Sequence, residues 1–325
     1  MQMETQTVVT ADLRRLYDSK AFERTFHYDG PLGAQWSPAA TLFALWAPTA
    51  QGVQLSLYRS GTAGDAWRTL DLAPAGRGVW QCRVPGDLDG CYYDFAVTDR
   101  EGVCRRTADP WARACGRDGG RSMVVDLRRT DPAGWAADRA PARPPEDIIY
   151  ETHVKDFSYD PASGVPAEYR GRYKAFTLTG TTLNGDGLHP TCLDYLKRLG
   201  VTHVQLMPVY DYGSVPEADP AAYNWGYDPV NYNVPEGSYA TDPDDGAVRI
   251  RELKEAVQAL HKNGFRVIMD VVYNHTYRLD SWLWRTEPWY FYRQNPDGTP
   301  GDGSACGNDL ATERSMCARY IRESV

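Results

Sequence analysis

The sequence predicts two fold types in tandem, an all-β sandwich followed by the N-terminal part of a (β/α)8 barrel. Three observations carry this. Short alternating strands separated by turn residues fill the first part of the chain. A proline-rich stretch, Pro141-Ala142-Arg143-Pro144-Pro145, then interrupts the pattern. Beyond it, the order helix, glycine, apolar strand occurs twice.

With 325 residues there is room for two domains and a sizeable core. Residues 1–21 read as an N-terminal extension. Residues 22–130 read as the sandwich, from runs such as Leu42-Phe43-Ala44-Leu45-Trp46, Val53-Gln54-Leu55-Ser56-Leu57-Tyr58, Val79-Trp80-Gln81-Cys82-Arg83-Val84 and Tyr92-Tyr93-Asp94-Phe95-Ala96-Val97. Turn residues divide them, among them Ser60-Gly61, Ala75-Gly76-Arg77-Gly78 and Asp89-Gly90. The strands look self-contained, so this part is expected to fold alone. Trp46, Trp67 and Trp80 read as core residues. Residues 131–146 read as a stiff, extended linker, because consecutive prolines hold the backbone open.

Residues 147–325 follow a different grammar. Ile148 to Val154 is a strand candidate. Leu193, Leu196 and Leu199 mark one face of a helix closed by Gly200, and Val201 to Met207 follow as a strand. Leu253, Ala256, Val257 and Leu260 mark the next helix, Gly264 closes it, and Phe265 to Val272 is the third strand. Glycine suits the position after a helix because it takes a left-handed backbone without strain. Strands joined by helices in this order lie parallel and are buried on both faces. A doubly wound sheet would give the same pattern. The long loops from Pro208 to Asp242 and from Tyr273 to Thr312 favour the barrel, whose sites are built from loops at the C-terminal strand ends. Only three strands of this kind are visible, well short of the roughly 250 residues of a whole barrel. The barrel is therefore expected to be incomplete.

Composition narrows the partners. A net charge of -8 and a pI near 5.3 exclude nucleic acid and anionic membrane as electrostatic partners. No apolar run approaches the ~20 residues of a membrane span. Seven cysteines, an odd number without a CxxC pair, support neither a disulfide framework nor zinc ligation. Met1 to Tyr17 holds no apolar signal core, and a reducing cytoplasm is the expected compartment. The 10 tryptophans and 21 tyrosines fit a carbohydrate binder, since sugars stack their C–H faces on flat rings.

Two runs concentrate such groups at loop positions: Tyr223-Asn224-Trp225-Gly226-Tyr227-Asp228-Pro229 and Asp270-Val271-Val272-Tyr273-Asn274-His275. Tyr227 offers a stacking platform. Asp228 precedes a proline, which biases it toward extended backbone and fixes its aim; a simple Asp-Pro turn explains it equally well. His275, past the end of a barrel strand, can donate to a sugar hydroxyl. Asp270 is expected to hold neighbouring side chains in place. Trp282, Trp284, Trp289, Tyr290, Phe291 and Tyr292 crowd one loop, either as outer sugar subsites or as a hydrophobic cluster pinning that loop.

Tyr223 to Pro229 resembles the YNWGYDP signature of type I pullulanases, debranching members of the α-amylase family. Asp270 to His275 is similar to that family's first common region, and Trp46-Ala47-Pro48-Thr49-Ala50 resembles its starch-binding-type β-module. The resemblance implies an α-glucan substrate cleaved at α-1,6 branch points by a retaining mechanism. Within it Tyr227 stacks on the sugar at the cleavage point, His275 contacts that sugar, and Asn224, Trp225 and Asp228 line the same site. It brings Asn308 and Asp309 near the cleft, with Asp270 and Asn274 in support. Asn274 matches a calcium ligand of many α-amylases, but debranching relatives often lack the ion, so no metal or other cofactor is expected. The family's catalytic nucleophile lies in a run resembling GFRFDLM, and its acid follows the next strand. Neither has a counterpart here, so no catalytic residue is assigned, and the resemblance implies an inactive fragment truncated after the third barrel strand. Two alternatives stand beside it: an isoamylase-like or glycogen-debranching enzyme, and a non-catalytic glucan-binding protein.

Overall fold

The computed structural model describes residues 13–325, and residues 1–12 of the expected extension lie outside them. The chain divides into two units. One comprises the residues up to Val125 together with Asp228–Val234 and Tyr273–Val325; the other comprises Asp126–Tyr227 and Pro235–Val272.

Alternation along the strands builds the first unit. β1 (Gly33–Ser37), β2 (Ala40–Trp46), β5 (Ala73–Pro74) and β6 (Val79–Pro85) form one sheet in the order β1-β2-β6-β5. β3 (Gly52–Tyr58), β4 (Arg68–Asp71), β7 (Tyr92–Thr98) and β8 (Cys104–Thr107) form the other, in the order β4-β3-β7-β8, with β9 (Ser122–Met123) beside β7. All pairings in both sheets are antiparallel. Phe43, Leu45, Leu55, Leu57, Tyr93 and Phe95 share one core between them. This is the expected sandwich.

Trp46 belongs to the opposite face of β2 and is also fully buried. Its indole N–H donates to the Phe26 carbonyl at 2.8 Å. Its ring packs edge-on to Tyr290, with centroids 4.6 Å apart. Tyr290, Phe291 and Tyr292 have no solvent exposure, so this half of the aromatic loop is core and cannot form outer sugar subsites. Trp67 departs from the expected core position; at 43% exposure it faces water, with Arg59 near its ring.

The second unit holds the parallel sheet. β10 (Ile149–Thr152), β11 (His203–Leu206) and β14 (Arg266–Met269) run side by side in that order. The connecting helices, Cys192–Leu199 and Gly246–Lys262, pack Leu193, Leu196, Ala256 and Leu260 against Val204 and Leu206. Gly200 and Gly264 have φ of 74° and 88°, the left-handed backbone expected after each helix. Of the three strands β11 is the most buried, with only Gln205 partly open. β10 and β14 have a neighbour on one side, which leaves Ile149, Tyr150 and Met269 exposed. β12 (Tyr210–Tyr212) and β13 (Pro229–Pro235) lie in the long insert after β11.

Residues 126–146 lie along the Gly246–Lys262 helix. Lys254 Nζ donates to Asp131 at 2.6 Å and to Thr130 at 2.8 Å, while His261 meets Asp138 at 2.6 Å. The boundary between the two units therefore falls at Val125–Asp126, ahead of the proline-rich stretch.

Candidate functional site

In the second unit the site grows from the C-terminal ends of the parallel strands. The Asp270 N–H donates to the Leu206 carbonyl at 3.0 Å, extending the ladder one residue past β14. This fixes the Asp270 carboxylate at the strand end, where the Tyr227 hydroxyl donates to it at 2.8 Å. Burial, then the bond to Asp270, push the Tyr227 phenol up to about 12, so it stays protonated and remains a donor. The two separate sequence runs thus meet through these side chains.

Asn224 shapes the loop that carries Tyr227. Its side-chain oxygen accepts the Gly226 N–H at 2.8 Å, an Asx turn. Gly226 has φ +89°, and a Cβ there would lie 3.0 Å from Pro208 Cβ, so glycine is required twice over. Trp225 is 61% exposed on the same loop. The Tyr223 hydroxyl donates to Asp156 at 2.7 Å, and its ring lies 4.8 Å from the His153 imidazole. Tyr223, Trp225 and Tyr227 line a pocket of ≈ 480 Å³ together with Glu151, His153, Asp156, Tyr195 and Met207. Flat rings interleaved with carboxylates can take both the C–H face and the hydroxyls of a sugar.

Sequence reasoning missed His153. It is buried at the end of β10, and the logic that selected His275, an imidazole after a barrel strand, applies to it equally. It also missed a buried ionic knot. Arg249, fully buried on its helix, donates to both oxygens of Glu217 at 2.9 Å and lies 3.7 Å from Asp211. Glu236 completes a group of three carboxylates whose oxygens lie within 4.8 Å of one another. With a guanidinium among them and each residue buried, these acids are closed to substrate.

The remaining candidates belong to the first unit. His275 is 6% exposed; its Nδ1 meets the Asn274 side-chain oxygen at 2.7 Å, and its carbonyl accepts from the Tyr232 hydroxyl. Asn274 itself is exposed, and its carbonyl accepts the Leu310 N–H. Asn308 is buried, and both ends of its amide grip the Thr276 backbone, at 3.0 and 2.8 Å. Its visible role is to fasten one loop to another. Asp309 accepts the Gly303 and Ser304 N–H groups at 2.6 and 3.0 Å. Burial alone would raise its pKa, but these bonds and Arg293 hold it below the ordinary carboxylate value. Asp228, half-buried, leads into β13 through Pro229.

Residues 31–112 match carbohydrate-binding module 48 (isoamylase N-terminal domain), and residues 181–291 match the alpha amylase catalytic domain. A pullulanase of Bacillus subtilis (strain 168) is 41% identical over 309 residues, covering 94% of this chain and 41% of that protein. The crystal structure of Paenibacillus barengoltzii pullulanase with maltohexaose and alpha-cyclodextrin superposes with a TM-score of 0.90 at 42% identity. That match covers 95% of this chain and 48% of the other. Pullulanase from Anoxybacillus sp. LM18-11 complexed with maltotriose gives 0.87 at 41% identity, covering 95% and 44%. The chain spans less than half the length of these relatives.

Proposed function

From a chain homologous to pullulanases along nearly its whole length, we propose the glucan-holding portion of a glycoside hydrolase that cleaves α-1,6 branch linkages in pullulan, amylopectin or limit dextrins. The observation that carries this reading is the Tyr227–Asp270 pair at the ends of the parallel strands, with Trp225 exposed beside it. Asp270 fixes the phenol, leaving the ring as a platform for one glucose unit. Glu151 and Asp156 line the same pocket as hydroxyl acceptors.

Cleavage with retention requires a nucleophilic carboxylate and a carboxylic acid about 5 Å apart across the bond. No residue is assigned to that pair. The tight carboxylate group of Asp211, Glu217 and Glu236 is buried around Arg249, and Asp270 is committed to Tyr227. Holding glucan, not cutting it, is the role these residues support. A general acid alone contributes roughly 10²–10⁴ in rate, so its loss would leave little turnover.

The test is titration of this chain with maltotriose, followed by tryptophan fluorescence. Tyr227→Ala is expected to weaken binding by about tenfold or more, the equivalent of ~1.4 kcal/mol. Unchanged affinity would demote Tyr227 to packing. Incubation with pullulan should release no reducing ends; sustained release would put the reacting carboxylates among these residues.

A further inference from the structure

We propose that His153, Lys155 and Asp156, the turn that follows β10, form a clasp that positions the aromatic loop Tyr223–Tyr227 for sugar, an inference that rests on the glucan-holding role of that loop. Four contacts converge on one short stretch of backbone and side chain. Lys155 Nζ donates to the Pro220 carbonyl at 2.6 Å and to the Ala222 carbonyl at 2.5 Å. His153 Nε2 lies 2.9 Å from the Asn224 carbonyl. Asp156 accepts the Tyr223 hydroxyl at 2.7 Å.

The chemistry of each contact is determined. The Lys155 backbone N–H points at His153 Nδ1 from 3.2 Å, so Nδ1 accepts and Nε2 carries the hydrogen that Asn224 receives. The Tyr239 hydroxyl oxygen lies 2.8 Å from that same nitrogen. Burial lowers the pKa of His153, favouring the neutral ring. Lys155 brings a full charge to its two carbonyls, and charge-assisted bonds are about twice as strong as neutral ones.

The acceptors are the carbonyls of residues 220, 222 and 224. The first of them lies in the turn that the Ala222 N–H closes onto the Asp219 carbonyl, so the grip runs from that turn into the aromatic loop. Three of the four contacts act on backbone, and the fourth fixes the Tyr223 hydroxyl. Trp225, mostly exposed, is thereby aimed by its peptide neighbours. Long loops without secondary structure need such anchors to present a fixed surface. The clasp supplies this from the strand whose end already contributes Glu151 to the pocket.

Lys155→Met and His153→Ala remove donors, whereas Lys155→Arg and His153→Gln keep them. The first readout needs no sugar. Hydrogen exchange over residues 220–227 should rise about tenfold in the Met and Ala variants and stay within about threefold of the parent in the Arg and Gln variants. The second readout is maltotriose affinity, expected to fall about tenfold in the first pair and to recover in the second. Unchanged exchange, or a Gln variant that behaves like Ala, overturns the clasp. Altered exchange with unaltered affinity overturns its positioning role, provided Tyr227→Ala weakens binding. If Tyr227→Ala also leaves affinity unchanged, the glucan-holding reading has failed and the exchange data alone decide whether the clasp orders the loop.

Discussion

Replacing Arg249 by methionine withdraws the guanidinium that Asp211, Glu217 and Glu236 surround. The side chain is wholly buried and makes two 2.9 Å bonds to Glu217, with further bonds to the Pro235 and Pro243 carbonyls at 3.1 and 2.8 Å. Removing one partner of a buried ion pair costs about 3–5 kcal/mol, because the other charge stays buried without compensation. Against a total stability of about 5–15 kcal/mol this is a large share. Lysine should not rescue, since a point charge cannot bridge both oxygens of Glu217. The cost should also depend on pH. Burial, then the nearby Glu217 charge, raise Glu236 to about 8, and Asp211 is raised well above its ordinary value. A carboxyl raised in the folded state contributes stability that is complete below its unfolded pKa, about 4.5, and is lost as pH rises through about 8. The parent should therefore lose stability across this window, and the Arg249→Met variant should lose more, because without the cation these carboxyls are raised further and the folded state holds protons that the unfolded chain has released. Urea unfolding at about pH 5.5 and pH 8.5, followed by circular dichroism, measures both effects. A variant within about 1 kcal/mol of the parent at both values, or a gap that narrows as pH rises, would mean that Arg249 does not compensate these acids.

Two further outcomes are expected. Glu287 is fully buried, accepts from the Tyr17 hydroxyl at 2.8 Å and the Thr49 N–H at 3.2 Å, and is raised by burial to about 7. Its contribution is complete below about 4.5 and lost as pH rises through about 7, so Glu287→Gln should flatten the melting temperature between about pH 5 and 8; an unchanged slope counts against it. Gly226→Ala forces a side chain into a left-handed backbone and against Pro208, a strain of about 1–3 kcal/mol, and should weaken maltotriose binding; parental affinity would mean the loop tolerates rearrangement.

Local rules recovered much of this. Gly200 and Gly264 were readable because a left-handed residue after a helix has a strong sequence preference. Tyr227 and Asp270 were readable as partners in one site because both follow parallel strands, though nothing in either run revealed their hydrogen bond. The third strand stops at Met269 and not at Val272, since β11 beside it ends at Leu206, whose carbonyl takes the Asp270 N–H as the last bond of the ladder. Composition could not decide whether Tyr290, Phe291 and Tyr292 were platform or core, because both uses select the same rings. Arg249 reads as an ordinary helix charge, and its acids at 211, 217 and 236 have no periodic relation to it. The acceptors of the His153–Asp156 turn left no mark at all, for every residue carries a carbonyl.

The aromatic seal over Trp46 has a consequence for how the molecule is made. Tyr17 finds its hydroxyl partner Glu287 only after another 270 residues have been added. At about 5–20 residues per second, the nascent chain would carry an unshielded indole face for on the order of ten seconds to a minute. Contacts so distant in sequence also slow collapse, since a long loop must close before any reward arrives. That face of β2 therefore leaves the ribosome with its indole uncovered until translation reaches the rings that cap it.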